Sequence, residues 1–234
     1  MVAIGLSFLG ALIAVRLTMP GAQFLKMFGA LMAGVAPMMI LVGPELARFD
    51  LRQDLPQADV LKTFPLPGWQ IVLGEILAPA LALTFLQWLM IAAAVIALPE
   101  VGPRGTLSLP GALGSIAAAA MVLAPAVNLT LLLLHNGSAL LFPAWVRLGP
   151  RGAQGFEAMG QRLLLMILHL AGLLLALLVP GVIGAVVFLA ARFLLAWTLA
   201  LPLAALVAAL ALGFQWALGL KLLGDRFERM DLTD

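Results

Sequence analysis

Cysteine is absent from the 234 residues, which excludes disulfides and thiolate metal sites and leaves the redox compartment undetermined. Charge is scarce: Asp, Glu, Lys and Arg make up 10% of the chain, against about 25% in a soluble domain. Lysine occurs at only three positions, none of them in a GxxxxGK[ST] loop. Binding of a nucleotide by a P-loop is thereby excluded, and any use of ATP must come from another polypeptide. The net charge is only +2, and no basic patch with interleaved aromatics is present, so nothing points to nucleic acid. Neither histidine has a Glu-x-x-His or His-x-x-x-His neighbour, the spacing an intramembrane metal site would use.

What the chain has in excess is apolar surface: 64% hydrophobic residues and a mean hydropathy of +1.13. There is core material many times over and too little polar surface to cover it, so lipid must be the outer solvent. A spanning helix takes about 20 mainly apolar residues. On that measure the sequence predicts an all-α integral membrane protein, a single transmembrane domain of six spans over 2–15, 24–42, 71–98, 111–134, 163–179 and 197–220. The first is short and ends at Arg16, and reads either as a span tilted inward or as one clipped from a longer domain with an upstream part. Pro180-Gly181 interrupts the 59-residue apolar region from Arg162 to Leu220, and a re-entrant or interfacial helix over 183–195 is expected before the last span. His135 to Gln161, rich in Gly and Pro, reads as a polar connection.

Basic residues orient this layout. The stretch Gly43–Trp69, the His135–Arg162 connection and the C-terminal tail hold three Lys/Arg each, whereas Arg16, Lys26, Arg104 and Arg192 fall on the other side. The positive-inside bias then puts both large connections and the C-terminus in the cytoplasm, in a multi-pass protein of the cytoplasmic (inner) membrane.

Few residues could carry chemistry. Glu75, Gln87, Asn128 and His169 are the candidates for an intramembrane polar site, since ionisable groups at membrane depth are functional hypotheses by default. Glu75 lies six residues after Trp69, where it can also reach the interface. Thr84 and Gln87 lie within about 60° of each other on the helical wheel, with Glu75 about 120–180° away, so no continuous polar stripe runs along that span. Asn128, Thr130, Thr198 and Gln215 read as interhelical hydrogen bonders. Two readings stay open for the histidines. His135 is an interfacial loop residue and His169 a packed, hydrogen-bonded one, or both join Glu75 in an intramembrane enzyme. Asn128-Leu-Thr130 and Asn136-Gly-Ser138 match the glycosylation pattern by chance, since both fall in or beside the membrane. Trp69, Trp145, Trp197 and Trp216 sit near span boundaries, as an aromatic belt places them, and Trp88 reads as packing.

The segment 43–69 concentrates the charge: Glu45, Arg48, Asp50, Arg52, Asp54, Asp59 and Lys62 are seven of the 24 charged residues. Leu46 and Phe49 share a face, and Leu51, Leu55, Ala58 and Leu61 follow at nearly helical spacing, with Pro56 splitting the segment into two short helices. Such a segment is either a solvated connector or a docking element that presses its apolar face into a partner's groove. Its stiff exit through Pro65 and Pro67 would carry a push into the third span.

The run RxDLxxDLxxADxLKTxPxxxWxxxxGExLAP, from Arg48 to Pro79, resembles the cytoplasmic connection between the second and third spans of type-2 ABC exporter permeases. Phe142-Pro143-Ala144-Trp145, Gly160-Gln161-Arg162 and the ending Gly224-Asp225-Arg226-Phe227-Glu228-Arg229-Met230-Asp231 are similar to the same group. The likeness begins at about Phe24. It implies a six-helix permease without catalytic residues or cofactor of its own, paired as a homodimer or with a second transmembrane subunit. ATP and Mg would be bound by a separate cytoplasmic ABC ATPase subunit. That subunit would grip Arg48, Phe49, Asp50, Arg52, Asp54, Leu55, Asp59 and Lys62, which couple it to export. The short first span departs from the group, whose members are often longer, and this puts the stoichiometry in question.

Overall fold

The computed structural model describes residues 2–19, 23–47, 60–61, 63–98, 111–141 and 156–229. Among them, six long helices follow one another: α1 Val2–Thr18, α2 Gln23–Ala47, α3 Gly68–Ala97, α4 Ala112–Leu141, α5 Phe156–Ala191 and α6 Trp197–Arg229. The helices α2 to α6 are long and apolar enough to cross a bilayer, whereas α1, at 17 residues, is shorter. The chain thus has the make-up of a multi-pass helical membrane protein, with five candidate spans and a sixth apolar helix below spanning length.

Each span after α1 contains proline: Pro37 and Pro44 in α2, Pro79 in α3, Pro125 in α4, Pro180 in α5 and Pro202 in α6. In water such residues would end helices. In lipid, leaving the helix exposes backbone groups that nothing can satisfy, so the helix carries on past the proline. This corrects the expected re-entrant helix over 183–195. The fifth helix runs unbroken through Pro180-Gly181 to Ala191, a length of about 54 Å at 1.5 Å per residue. A tight turn then returns the chain to α6, closed by Arg192 N–H to Phe188 O at 3.0 Å and Leu195 N–H to Ala191 O at 2.8 Å. The same reasoning corrects two other boundaries. The second helix extends past Val42 through Pro44, and the fourth passes Leu134 to Leu141, which takes His135 out of the expected loop and into a helix.

Neighbouring helices alternate in direction. Gly43 of α2 faces Leu83 of α3 while Gly29 faces Ala97, so this pair is antiparallel. The fourth helix returns along α3, with Trp88 Nε1 donating to Met121 O at 2.8 Å. The sixth runs parallel to α4, tied at the start by Ser115 Oγ donating to Thr198 O at 2.9 Å and later meeting it where Gly219 faces Leu133. Consequently the start of α3, the end of α4, the start of α5 and the end of α6 lie at one end of the bundle, while the last turns of α2 pass the middle of α3.

Three apolar clusters hold the bundle. At the end just named, Val72 and Ile76 of α3, Leu132 and Leu140 of α4, and Leu220 and Phe227 of α6 pack together, with Leu61 half-buried against them. Midway, Val127 and Leu131 of α4 meet Leu173 of α5 and Leu212 of α6. At the far end Leu12, Leu25 and Ala93 join α1 and α2 to α3. Small residues bring α5 and α6 close: a Cβ on Gly184 would stand 3.1 Å from that of Ala208, the close approach that small residues permit between membrane helices. The outer face of α5, with Leu174, Leu175, Leu178, Val182 and Val186 all more than half exposed, is a surface for lipid, not water.

Candidate functional site

The eight residues expected to couple to an ATPase, Arg48, Phe49, Asp50, Arg52, Asp54, Leu55, Asp59 and Lys62, lie outside the described residues, and the expected coupling helix with them. What is described is where the chain leaves that segment. Residues 60–61 are helical, Thr63 Oγ1 donates to Val60 O at 2.7 Å, and Thr63–Leu66 turn into Pro67 and the start of α3. Pro67 is the N-cap and supplies no capping side chain. The deficit is met from the other end of the sequence: Gly68 N–H donates to Glu228 Oε1 at 2.6 Å. A carboxylate there satisfies one of the orphan donors of a helix start and opposes the positive end of its dipole.

The same joint is built on two glycines. A Cβ on Gly68 would stand 2.5 Å from Gly224 O, and one on Gly224 would stand 2.6 Å from Trp69 Cα, so backbone rests on backbone. One turn further, Phe227 is the largest fully buried side chain among the described residues, seated between α3 and α4. The start of α3 and the last turns of α6 are therefore one mechanical unit. Sequence reasoning singled out both runs, through Trp69 and Gly224–Glu228, without indicating that they touch. Residues 160 apart carry no local signal of contact.

The expected intramembrane polar set does not come together: it falls in three places. Gln87 and Asn128 come together with Thr84. Asn128 Nδ2 donates to Gln87 Oε1 and to Thr84 Oγ1, both at 2.9 Å, and Gln87 Nε2 donates back to Asn128 Oδ1 at 3.3 Å. All three are at most 5% exposed. The two amides bond each other reciprocally, so this is a buried lock between α3 and α4. Glu75 stands half-buried on α3, outside this lock.

His169 belongs elsewhere, with His135. The two rings stack with centroids 3.8 Å apart at 15°, both buried. His135 Nδ1 lies 2.9 Å from Leu131 O, and because a carbonyl only accepts, the ring nitrogen carries the proton. Ser138 Oγ donates to His135 O at 2.7 Å, so it must accept from His169 Nε2 at 3.0 Å. A serine beside a histidine can be an activated nucleophile, but that needs the histidine to take the hydroxyl proton, and here the proton inventory runs the other way. No group of three His, Asp or Glu able to hold a metal occurs among the described residues. Thus Glu75, His135 and His169 do not form one ligand set. Both sequons are buried within α4, with Asn136 Nδ2 donating to Leu132 O at 2.8 Å. Sequence reasoning met Ser138 only as part of a chance sequon, and Gly68 and Glu228 only within longer runs, and gave none of the three a role of its own.

Beside Ser138 and His169 a cleft of about 600 Å³ opens between α4, α5 and α6. Its walls are leucines, and Arg226 is the one charged residue on its lining.

Comparison of the chain with family models, with curated proteins and with solved structures returns no match.

Proposed function

We propose that the chain is the membrane-spanning permease subunit of an ATP-driven exporter of the ABC type. A separate cytoplasmic ATPase would move the segment 43–69, and the movement would enter the bundle at the joint where Gly68 and Trp69 meet Gly224 and Glu228. The observation that supports this reading is the joint itself. The two runs that resemble exporter permeases, Arg48–Pro79 and Gly224–Asp231, are remote in sequence and adjacent in space. A displacement of the segment would then act on α3 and α6 together, and on α4 through the cluster around Phe227. The chain would contribute no chemistry. ATP and Mg would be held by the partner, and two transmembrane subunits would complete the pathway.

The orientation proposed puts the joint at the cytoplasmic face of the inner membrane, because the segments flanking that end carry nine of the thirteen basic residues. An intramembrane enzyme is the second reading. The stacked histidines speak for it, and the separation of Glu75 from a three-member ligand set speaks against it.

The test is ATPase stimulation in the complex purified from its native membrane and placed in lipid nanodiscs. Arg48→Glu together with Arg52→Glu is expected to reduce stimulation at least tenfold while the protein still inserts, since like charge across a docked interface costs several kcal/mol. Full stimulation by the double variant would contradict the proposal.

A further inference from the structure

The cleft between α4, α5 and α6 has the form of a lipid slot. Glycines from three helices, Gly137, Gly172 and Gly219, line it together with the leucines of its walls. From Gly219 to Arg226 it runs seven residues along α6, about 10 Å of helix rise. Its volume, about 600 Å³, lies within the range of about 300–1,000 Å³ typical of sites for small ligands. The polar groups on its wall are already matched to each other, Ser138 with His135 O and His169 with Ser138. A polar guest would find them engaged, whereas an alkyl chain asks nothing of them.

The mouth is different. Arg226 is exposed and is the one charged side chain lining the cleft, with no ion-pair partner among the described residues. The nearby carboxylate of Glu228 is engaged by Gly68 N–H. The arrangement is an apolar slot ending in an arginine at the end of a membrane bundle, and basic sites between helices at such a level favour anionic headgroups.

We propose that this cleft binds an anionic phospholipid of the surrounding leaflet, with one acyl chain between the glycines and its phosphate on Arg226. The proposal requires that the bundle sits in a membrane; it is independent of any ATPase partner. Native mass spectrometry of the purified chain, released from micelles containing equal phosphatidylglycerol and phosphatidylcholine, tests it. The chain should retain phosphatidylglycerol in about fivefold preference, the ratio expected for one basic residue at the surface. Arg226→Glu should abolish the preference, and Arg229→Glu, the same charge change off the cleft, should keep it. Gly172→Leu, which fills the slot from α5, should lower retention of both lipids. Equal retention of the two lipids by the unaltered chain would overturn the proposal. So would a preference untouched by Arg226→Glu, or lipid retention untouched by Gly172→Leu. A dimer dissociated by Gly172→Leu with lipid adducts unchanged would show a second copy of the chain in the cleft, and would overturn it too.

Discussion

Gly224→Ala is expected to lower the stability of the bundle in detergent by about 1–3 kcal/mol, the cost of forcing extra volume into a packed contact. The added methyl would stand 2.6 Å from Trp69 Cα and 2.8 Å from its Cβ. Neither can yield as the tip of a flexible side chain would, so α3 and α6 must part. Their parting strains a second interaction, the bond from Gly68 N–H to Glu228. Gly137→Ala is the control: its Cβ would meet Leu223 at 3.7 Å, an ordinary contact, and should leave the unfolding temperature nearly unchanged. Glu228 divides the effect of packing from that of capping. Glu228→Gln retains an acceptor for Gly68 N–H and should be the milder change, and Glu228→Ala should cost about 0.5–2 kcal/mol, as loss of an N-cap does. Thermal unfolding of the four variants side by side checks the order. Gly224→Ala as stable as the parent would show that the joint is not closed.

The second large effect is expected at the amide lock. Asn128→Leu removes three hydrogen bonds at once and strands the Gln87 amide, 2% exposed, among apolar neighbours. An unsatisfied buried group costs about 1–3 kcal/mol, and interhelical bonds in membranes reach about 1.7 kcal/mol each at most. A loss of about 2 kcal/mol is therefore expected. The double variant Asn128→Leu with Gln87→Met should be more stable than Asn128→Leu alone, because the stranded amide goes with its partner. Equilibrium unfolding of the variants in denaturant would reveal this as a loss in the double variant smaller than the sum of the two single losses. Additive losses would mean that the two amides do not depend on each other.

These residues also show what a sequence can disclose. The placing of α3 followed from apolar length and holds to within a few residues, and the shared side of Thr84 and Gln87 followed from helical period, both of them meeting Asn128. Asn128 was legible as a hydrogen bonder for the same reason: a buried amide in lipid must find a partner. The break expected at Pro180 failed because the rule for proline was taken from water, where an opened backbone can be hydrated. Asn136 and Ser138 lie in the stretch read as a connection for its glycines and prolines, yet each returns its polar group to its own helix, at Leu132 O and His135 O, and the helix continues. The joint between Gly68 and Gly224 was not legible at all. It depends on which helices neighbour each other, and that follows from the packing of the whole bundle.

The absence of cysteine gives the most direct measurement of where the segment 43–69 faces. Thr63, exposed at the exit of that segment, can be replaced by cysteine in an otherwise thiol-free chain and offered a membrane-impermeant maleimide from either side. The account predicts labelling in inverted membrane vesicles and none in intact cells, with Arg192→Cys, in the exposed turn at the other end of the bundle, behaving in the opposite way. Labelling of Thr63→Cys from outside the cell would place the segment beyond the reach of any cytoplasmic ATPase and contradict the account.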